Sequence, residues 1–381
     1  MVDELGPHSI GLVQGIDEII ETGATLVAGS KMATPSPQVL YTSWSVFKIA
    51  IETVKPVELP LLVERLRYLN KIYLSVALKV EDSGEHVIFG PGELYLDCFL
   101  HDLRSTGLKI RVLDPLVRLG ETVVANLSAK VSIESQLQEN SIAISAEPAE
   151  LNVTEAVQNG EIELANSRQT AKKLRSLGWD ALAARSLWAF NNSNLLVHDI
   201  LGPSENVVDV KNDIVQGFQW ASKEGPLCDE PLHQTKFRII DATVAGEGFQ
   251  RSGTQVIPMV RRACYSAFMT AEPRLLEPVY TVHVTCRYKA IAAVSKILSR
   301  RRGGLISTEG IAATELHRVT GYVPVIESMG LETDIRLRTE GQAMCFLEFD
   351  KWDLVPGDPL NVNAELPPLE PVPPELIARA F

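Results

Sequence analysis

The sequence predicts an α+β fold in which two ferredoxin-like split βαβ domains flank a different α/β domain. Strand and helix periodicities alternate in the order βαββαβ over about 70 residues near the N-terminus, and the same order returns near the C-terminus. The segment between them follows another pattern. Hydrophobic residues make up 45% of the chain and charged residues 22%, so each predicted domain can bury a core.

The first repeat is predicted within residues 45–114. Apolar residues at helical spacing indicate two helices, and short apolar runs indicate four strands. In chain order these are the strand 46–51, the helix 59–69, the strands 76–80 and 86–89, the helix 96–103 and the strand 108–113. The order is that of a ferredoxin-like domain.

The second repeat is predicted within residues 277–350, with no visible sequence identity to the first. The same two kinds of periodicity define it. In chain order they give the strand 279–285, the helix 291–298, the strands 305–307 and 318–323, a helix through Leu331 and Ile335, and the strand 344–349.

The middle segment, 115–276, opens with alternating strand patterns such as Thr122–Val131, followed by predicted helices near 167–187 and 208–223. The tail after Asp358 is rich in proline, which favours an extended conformation. Its two interpretations are a strap over the surface of the domain and a PxxP ligand for a partner.

Residues 1–44 alternate short apolar runs with glycine and proline, which is typical of strands and turns. Ser9–Val13 and Ala24–Ala28 are the clearest runs. They are too few for an independent barrel, so we interpret the segment as the last strands of a truncated β-barrel domain. A small self-contained β-meander is the alternative.

The formal net charge of −12 argues against a protein that coats nucleic acid through bulk electrostatics, although a local basic tip is compatible with it. No apolar run approaches the ~18 residues of a membrane span, so no membrane contact is expected.

The acid–histidine neighbours are Glu85-His86, on a predicted strand, and His101-Asp102, on a predicted helix. Adjacent side chains in either element are expected to point in different directions. We find no phosphate-binding loop, zinc motif or nucleophile elbow, and expect no catalytic, cofactor or metal residue and no small-molecule substrate.

Four long stretches resemble elongation factor 2 and its relatives, in the order of that family's domains. SGEHVIFGPGELYLDCFLHDLR (83–104) resembles the third domain, and GYVPVIESMGLETDIRLRTEGQAMCFLEFDKW (321–352) the fifth. VKNDIVQGFQWASKEGPLCDE (210–230) and QVIPMVRRACYSAFMTAEPRLLEP (255–278) resemble the fourth. Four shorter segments resemble the spliceosomal branch of this family, the GTPases of the U5 small nuclear ribonucleoprotein. They are segments 181–190, 224–230, 265–268 and 355–360.

The resemblance implies a division of the chain. The first 44 residues would end the barrel-like second domain, 45–114 would be the third domain and 277–350 the fifth. The fourth, similar to ribosomal S5 domain 2, would comprise 115–276 and 351–381. GTP, Mg²⁺ and any GTP hydrolysis would belong to a domain upstream of this chain, which would be a fragment or an engineered piece of a longer GTP-binding protein.

A segment at 248–255 matches the tip loop of the fourth domain, which in the ribosomal translocase carries a histidine modified to diphthamide. Gln250 stands at the expected histidine position, and an amide cannot replace imidazole as the modification acceptor. Ser252 and Thr254 interrupt the family's glycine run. The tip-loop residues proposed to contact a partner are Gly248, Phe249, Gln250, Arg251 and Gln255.

Two arginine clusters are candidate basic contacts. Arg300, Arg301 and Arg302 follow a predicted helix, where cations either complement the helix dipole or contact a phosphate or an acidic partner. A further expectation is that Arg301→Glu weakens partner binding without unfolding the chain. Arg261-Arg262 would open a helix, where the dipole offers no help, so a partner contact or an internal ion pair is expected.

By resemblance, the expected role is a docking and conformational arm in pre-mRNA splicing, in the nucleus. Its expected partners are the large U5 scaffold protein and the associated RNA helicase, with local contact to small nuclear RNA. The alternatives are the corresponding arm of a ribosomal translocase, which would contact ribosomal RNA, or of a ribosome-maturation GTPase of the same family.

Overall fold

The computed structural model describes residues 4, 6, 8–16, 18, 20, 24–25, 44–81, 84–125, 129–135, 137–158, 160–162, 167–200, 205–245 and 252–361. Its strands are β1 Phe47–Thr53, β2 Ala77–Val80, β3 His86–Gly90, β4 Ile110–Val112, β5 Leu116–Val117, β6 Gly120–Val123, β7 Val131–Glu134, β8 Ser141–Pro148, β9 Leu187–Asn191, β10 Asn194–His198, β11 Thr235–Thr243, β12 Pro273–Arg287, β13 Gly304–Gly310, β14 Leu316–Pro324 and β15 Ala343–Leu354. Its helices are α1 Leu59–Ile72, α2 Glu93–Ser105, α3 Leu151–Gln158, α4 Ser167–Ser176, α5 Glu205–Asp209, α6 Lys211–Lys223, α7 Gly253–Thr270, α8 Ile291–Arg300 and α9 Leu331–Arg338.

The first ferredoxin-like module forms because apolar side chains alternate along its strands and recur at helical spacing along its helices. Buried and half-buried residues alternate along β1, and the helix α1 buries Leu62, Leu66 and Leu69. The sheet order is β2-β3-β1-β4, and β5 also pairs with β1. The central β1 lies antiparallel to β3 and β4, as the order βαββαβ requires.

The second module repeats this arrangement with different residues. Its sheet order is β13-β14-β12-β15, and β6 also pairs with β12. The helix α8 lies between β12 and β13, and α9 lies between β14 and β15. The two sheets therefore have the same strand order, and the predicted pair of split βαβ folds is confirmed.

The chain divides into two compact units. The first comprises 1–117, 280–349 and 372–381, and the second comprises 118–279 and 350–371. Within the first unit, buried side chains of both ferredoxin-like modules belong to one continuous hydrophobic core. The hydroxyl of Tyr280 donates a hydrogen bond to the carbonyl of Pro91 at 2.6 Å, and the amide of Gly330 donates to a Glu93 carboxylate oxygen at 3.0 Å. The modules are thus joined by packing and by hydrogen bonds.

The second unit is built on the sheet β7-β8-β11-β10-β9, in which only β10 and β11 run parallel. Neighbouring residues of a strand point to opposite faces. Leu196 joins the core formed with α6 and α7, whereas Leu195 joins a separate core formed with α3 and α4. Helices therefore cover both faces of this sheet.

Three predictions differ from the structure. Ser9–Val13 were predicted as a strand, but residues 8–16 form none, and Ile10 and Leu12 are fully exposed because no described strand pairs with them. The strands predicted within Thr122–Val131 are present only at its two ends among the described residues, since β6 ends at Val123 and β7 begins at Val131, in different sheets. The helix predicted near 167–187 ends at Ser176. The second apolar run, Ala24–Ala28, and the proline-rich tail lie largely or wholly outside the described residues.

The early end of α4 has a clear cause. Gly178 has a φ of +103°, a left-handed conformation that favours glycine. Its amide donates to the carbonyl of Arg175, and the amide of Trp179 donates to the carbonyl of Leu174, both at 3.1 Å. This pairing is a Schellman motif, which terminates a helix and satisfies its last carbonyls.

In the part of the chain that the structure describes, no helix is both long enough and apolar enough to cross a bilayer.

Candidate functional site

The tip-loop residues Gly248, Phe249, Gln250 and Arg251 lie outside the described residues, but both ends of the loop are visible. On one side, Ala245 donates its amide hydrogen to the side-chain oxygen of Asn140 at 2.9 Å. Asn140 is only 1% exposed and lies in the turn between β7 and β8. A buried amide side chain thus ties the start of the loop to the sheet.

On the other side, the loop leads directly into α7, which begins at Gly253. The amide of Gln255 donates to the carbonyl of Ser252 at 2.9 Å, and the hydroxyls of Ser252 and Thr254 lie 2.7 Å apart. The side chain of Gln255 is half-buried at this helix start. Its contact with a partner stays a prediction.

Arg261 and Arg262 lie in the middle of α7, so the prediction that they open a helix is wrong. Arg261 stacks over the ring of Trp220, with 4.2 Å from the guanidinium carbon to the ring centroid. It also donates to the hydroxyl of Tyr265 at 3.0 Å and to a Glu224 carboxylate oxygen at 3.3 Å. Of the two alternatives, the structure gives Arg261 an internal ion pair. Arg262 is exposed and donates to the carbonyl of Glu134 at 3.3 Å.

The loop 224–230 closes over a buried carboxylate that the sequence analysis did not identify. Glu121, 0% exposed on β6, accepts amide hydrogens of Leu227 at 3.0 Å, Cys228 at 2.8 Å and Glu230 at 3.4 Å. Burial raises the pKa of Glu121, although these hydrogen bonds oppose the shift. A Cβ at Gly225 would lie 2.2 Å from the carboxylate, so a larger residue there would displace Glu121 from its hydrogen bonds. The available signal in the sequence was a single charged residue between the apolar residues Leu119 and Val123.

His233 is a second buried titratable group of the same unit. Its ring is 6% exposed and lies 4.7 Å from the ring of Trp352, centroid to centroid. Burial, with a smaller contribution from the nearby Arg118, lowers the pKa of His233 to about 4. The imidazole is therefore neutral in the folded protein at neutral pH.

This shift predicts acid lability of the second unit. An unfolded histidine has a pKa of about 6.5, so the folded state is favoured above that pH and loses stability as the pH falls toward 4. The expected loss is about 3 kcal/mol in the free energy of unfolding. Urea unfolding between these pH values measures it. His233→Phe should reduce the dependence of the free energy of unfolding on pH in this range. An unchanged dependence would contradict the assignment of the effect to His233.

The arginine triple divides into three different environments. Arg300 is exposed, Arg302 is half-buried and lies 3.7 Å from a Glu327 carboxylate oxygen, and Arg301 is buried. Arg301 donates to the carbonyls of Glu327 and Met329, the latter at 2.7 Å, and forms an ion pair with Asp334 on α9. Arg301 cannot contact a partner from this position, so its interpretation as a surface contact is wrong.

The prediction that His101 and Asp102 diverge on a helix is wrong, because their side chains contact each other on the surface of α2. His101 is exposed, with 3.5 Å between its Nδ1 and an Asp102 carboxylate oxygen, and Asp102 also accepts the hydroxyl hydrogen of Tyr73 at 2.6 Å. In the described part of the chain, no group of three or more His, Cys, Asp or Glu side chains is arranged to hold a metal ion.

Comparison with protein families gives two adjacent matches. The model for elongation factor G, domain IV, matches residues 156–272, and the model for the elongation factor G C-terminus matches residues 274–363. The division of the chain into domains ending at residues 44, 114 and 276 stays a prediction.

Curated relatives align with the chain from end to end. The 110 kDa U5 small nuclear ribonucleoprotein component CLO of Arabidopsis thaliana is 42% identical, covering 100% of this chain and 40% of the relative. The pre-mRNA-splicing factor cwf10 of Schizosaccharomyces pombe is 41% identical (97% and 39%), and the pre-mRNA-splicing factor SNU114 of Saccharomyces cerevisiae is 36% identical (100% and 41%). The chain thus spans about two fifths of the length of these relatives. With both family models matched in order and these relatives aligned throughout, the chain belongs to the elongation factor 2 family, in the branch of the U5 components and splicing factors.

Proposed function

We propose that this chain is the C-terminal arm of an elongation-factor-2-like GTPase of the U5 small nuclear ribonucleoprotein. It acts as a docking and conformational module in pre-mRNA splicing, in the nucleus. The observation that carries the proposal is the end-to-end alignment, at 36–42% identity, with relatives named as U5 components or pre-mRNA-splicing factors.

The architecture suits a docking arm. The two ferredoxin-like modules share one core, and the hydrogen bonds from Tyr280 to Pro91 and from Gly330 to Glu93 are among the contacts that join them. Separating these modules would expose apolar surface and leave buried polar groups unsatisfied, so the first unit moves as one body. A rigid body of this kind passes on a displacement that begins elsewhere in an assembly.

The chemistry that drives such a displacement belongs outside this chain. GTP and Mg²⁺ are assigned to an upstream domain of the longer parent protein, and this chain acts without catalysis. Two features support this division: the family models that match are domain IV and the C-terminus, and the sequence contains no Gly-x-x-x-x-Gly-Lys-Ser/Thr loop.

The proposed partners are the large U5 scaffold protein and the associated RNA helicase. The tip loop, anchored at Ala245 and at the start of α7, is the proposed contact segment of the second unit. Among the arginines predicted to contact a partner, Arg262 and Arg300 are exposed and can do so. Arg261 and Arg301 instead pair with carboxylates of this chain.

Capture from nuclear extract tests the proposal. The tagged chain should recover U5 proteins, identified by mass spectrometry, in preference to ribosomal proteins. Leu100→Asp, which places a charge at a 0% exposed position, should unfold the first ferredoxin-like module and abolish this recovery. Recovery of ribosomal subunits by the unmodified chain, or equal recovery of U5 proteins by the variant, would overturn the proposal.

A further inference from the structure

A concave basic surface lies on the second unit, and none of its charged residues was among the candidate contact residues predicted from sequence. It is a groove of about 400 Å³ between α4 and the short 3-10 turn Ala183–Arg185. Four cationic side chains line it: Arg168, Lys172 and Arg175 from α4, and Arg185 from the turn. None of its described lining residues is acidic. The clustering of positive charge in this groove contrasts with the net charge of −12 of the whole chain.

The groove has a rigid base. Ala171 and Leu174 of α4 and Ala184 of the turn are buried in one core with Leu195 of β10. The Schellman motif at Gly178 fixes the point at which the chain leaves α4 and returns toward the turn. The cationic side chains thus project from a backbone that packing and hydrogen bonds hold in place.

All four side chains are exposed, and none forms an ion pair with a carboxylate in the described ranges of the chain. The next cation along α4 behaves differently, since Lys173 pairs with Glu161 at 2.5 Å. Clustered cations repel one another, and the described lining of the groove offers no anion to offset this repulsion. An external anion is the group that would complement it.

The spacing indicates more than one anionic group. Arg168, Lys172 and Arg175 recur at intervals of four and three residues, so they share one face of the helix. At a rise of 1.5 Å per residue, this row extends over about 10 Å. A single phosphate cannot contact its whole length, whereas successive phosphates of a nucleic-acid strand can.

We propose that this groove binds the sugar–phosphate backbone of RNA. Three of its four cations are arginines, whose planar guanidinium groups match phosphate oxygens in a bidentate way. The described lining holds no aromatic side chain on which bases could stack, so binding is electrostatic and independent of base sequence. A carboxylate-rich protein segment is the competing ligand, which the experiment separates from RNA.

The test measures fluorescence anisotropy of a labelled oligouridylate with the purified chain at several salt concentrations. The groove variant is R168Q/K172Q/R175Q/R185Q. The matched control is R67Q/R104Q/K109Q/R338Q, which removes four exposed cations of the first unit and changes the net charge equally. Circular dichroism and unfolding midpoints confirm that both variants are folded.

The groove variant should bind RNA at least about tenfold more weakly near 0.1 M salt, and the slope of log K against log salt should fall by about 3. The control should remain within twofold of the unmodified chain. Equal loss in both variants, or no detectable binding by the unmodified chain, would overturn the inference. So would displacement of RNA by oligoglutamate at equal charge concentration, which would identify an acidic protein ligand. Because purified components suffice, the result does not depend on U5 association.

Discussion

Arg301→Met is expected to lower the free energy of unfolding of the first unit by about 3 kcal/mol, because it removes the buried donor that binds two carbonyls and a half-buried carboxylate. The guanidinium of Arg301 binds the carbonyls of Glu327 and Met329 and the carboxylate of Asp334. These groups lie before and within α9, so this side chain fixes that helix against the end of α8. Arg301→Glu should be more damaging still, since it brings two carboxylates together.

Amide hydrogen exchange of α8 and α9, together with urea unfolding, measures this effect in the unit concerned. Arg300→Met is the matched control: it removes a neighbouring, exposed arginine and should change stability by no more than about 0.5 kcal/mol. Equal protection in the two variants would show that Arg301 is dispensable for the fold. The sequence predicted that Arg301→Glu weakens partner binding without unfolding the chain. From the contacts of Arg301 we now expect this substitution to destabilise the fold.

Glu121→Ala is expected to destabilise the second unit by about 3 kcal/mol. Three part-buried hydrogen bonds, from the amides of Leu227, Cys228 and Glu230, are lost, and each costs roughly 1 kcal/mol. Glu121→Gln should lose less, because the amide retains one acceptor oxygen while its NH₂ group faces a donor.

Unfolding in urea and hydrogen exchange of residues 224–230 report this loss. Glu139→Ala is the control, since it removes an exposed carboxylate of the same unit. If exchange in the loop were unchanged in Glu121→Ala, the carboxylate would not be what organises the loop. Loosening of the loop should also weaken the support of Arg261, because Glu224 binds both Arg261 and the hydroxyl of Tyr265.

The repeated modules were predictable because their cores are read from local periodicity. Leu62, Leu66 and Leu69 recur on one face of α1, and Leu96, Phe99, Leu100 and Leu103 on one face of α2, so the sequence alone places both helices. The pairing of the modules into one unit was not predictable, since it depends on contacts such as Tyr280 with Pro91, which are 189 residues apart.

The roles of charged residues were harder to predict than the fold. Arg300, Arg301 and Arg302 are equivalent as a sequence pattern, and only tertiary packing makes one exposed and another buried. The end of α4 was also not predicted, because it depends on the left-handed conformation of Gly178, whereas the helical spacing of apolar residues continues past this glycine. The basic groove was not predicted because Arg168, Lys172 and Arg175 are not adjacent in the sequence. Arg185 lies beside them only because the chain folds back after α4.

The most direct test of the central claim is the RNA recovered with the tagged chain from nuclear extract, quantified by reverse transcription. The account predicts enrichment of U5 small nuclear RNA over ribosomal RNA relative to the input extract, with loss of that enrichment in Leu100→Asp. Enrichment of ribosomal RNA with U5 RNA at background would contradict the assignment of this arm to splicing.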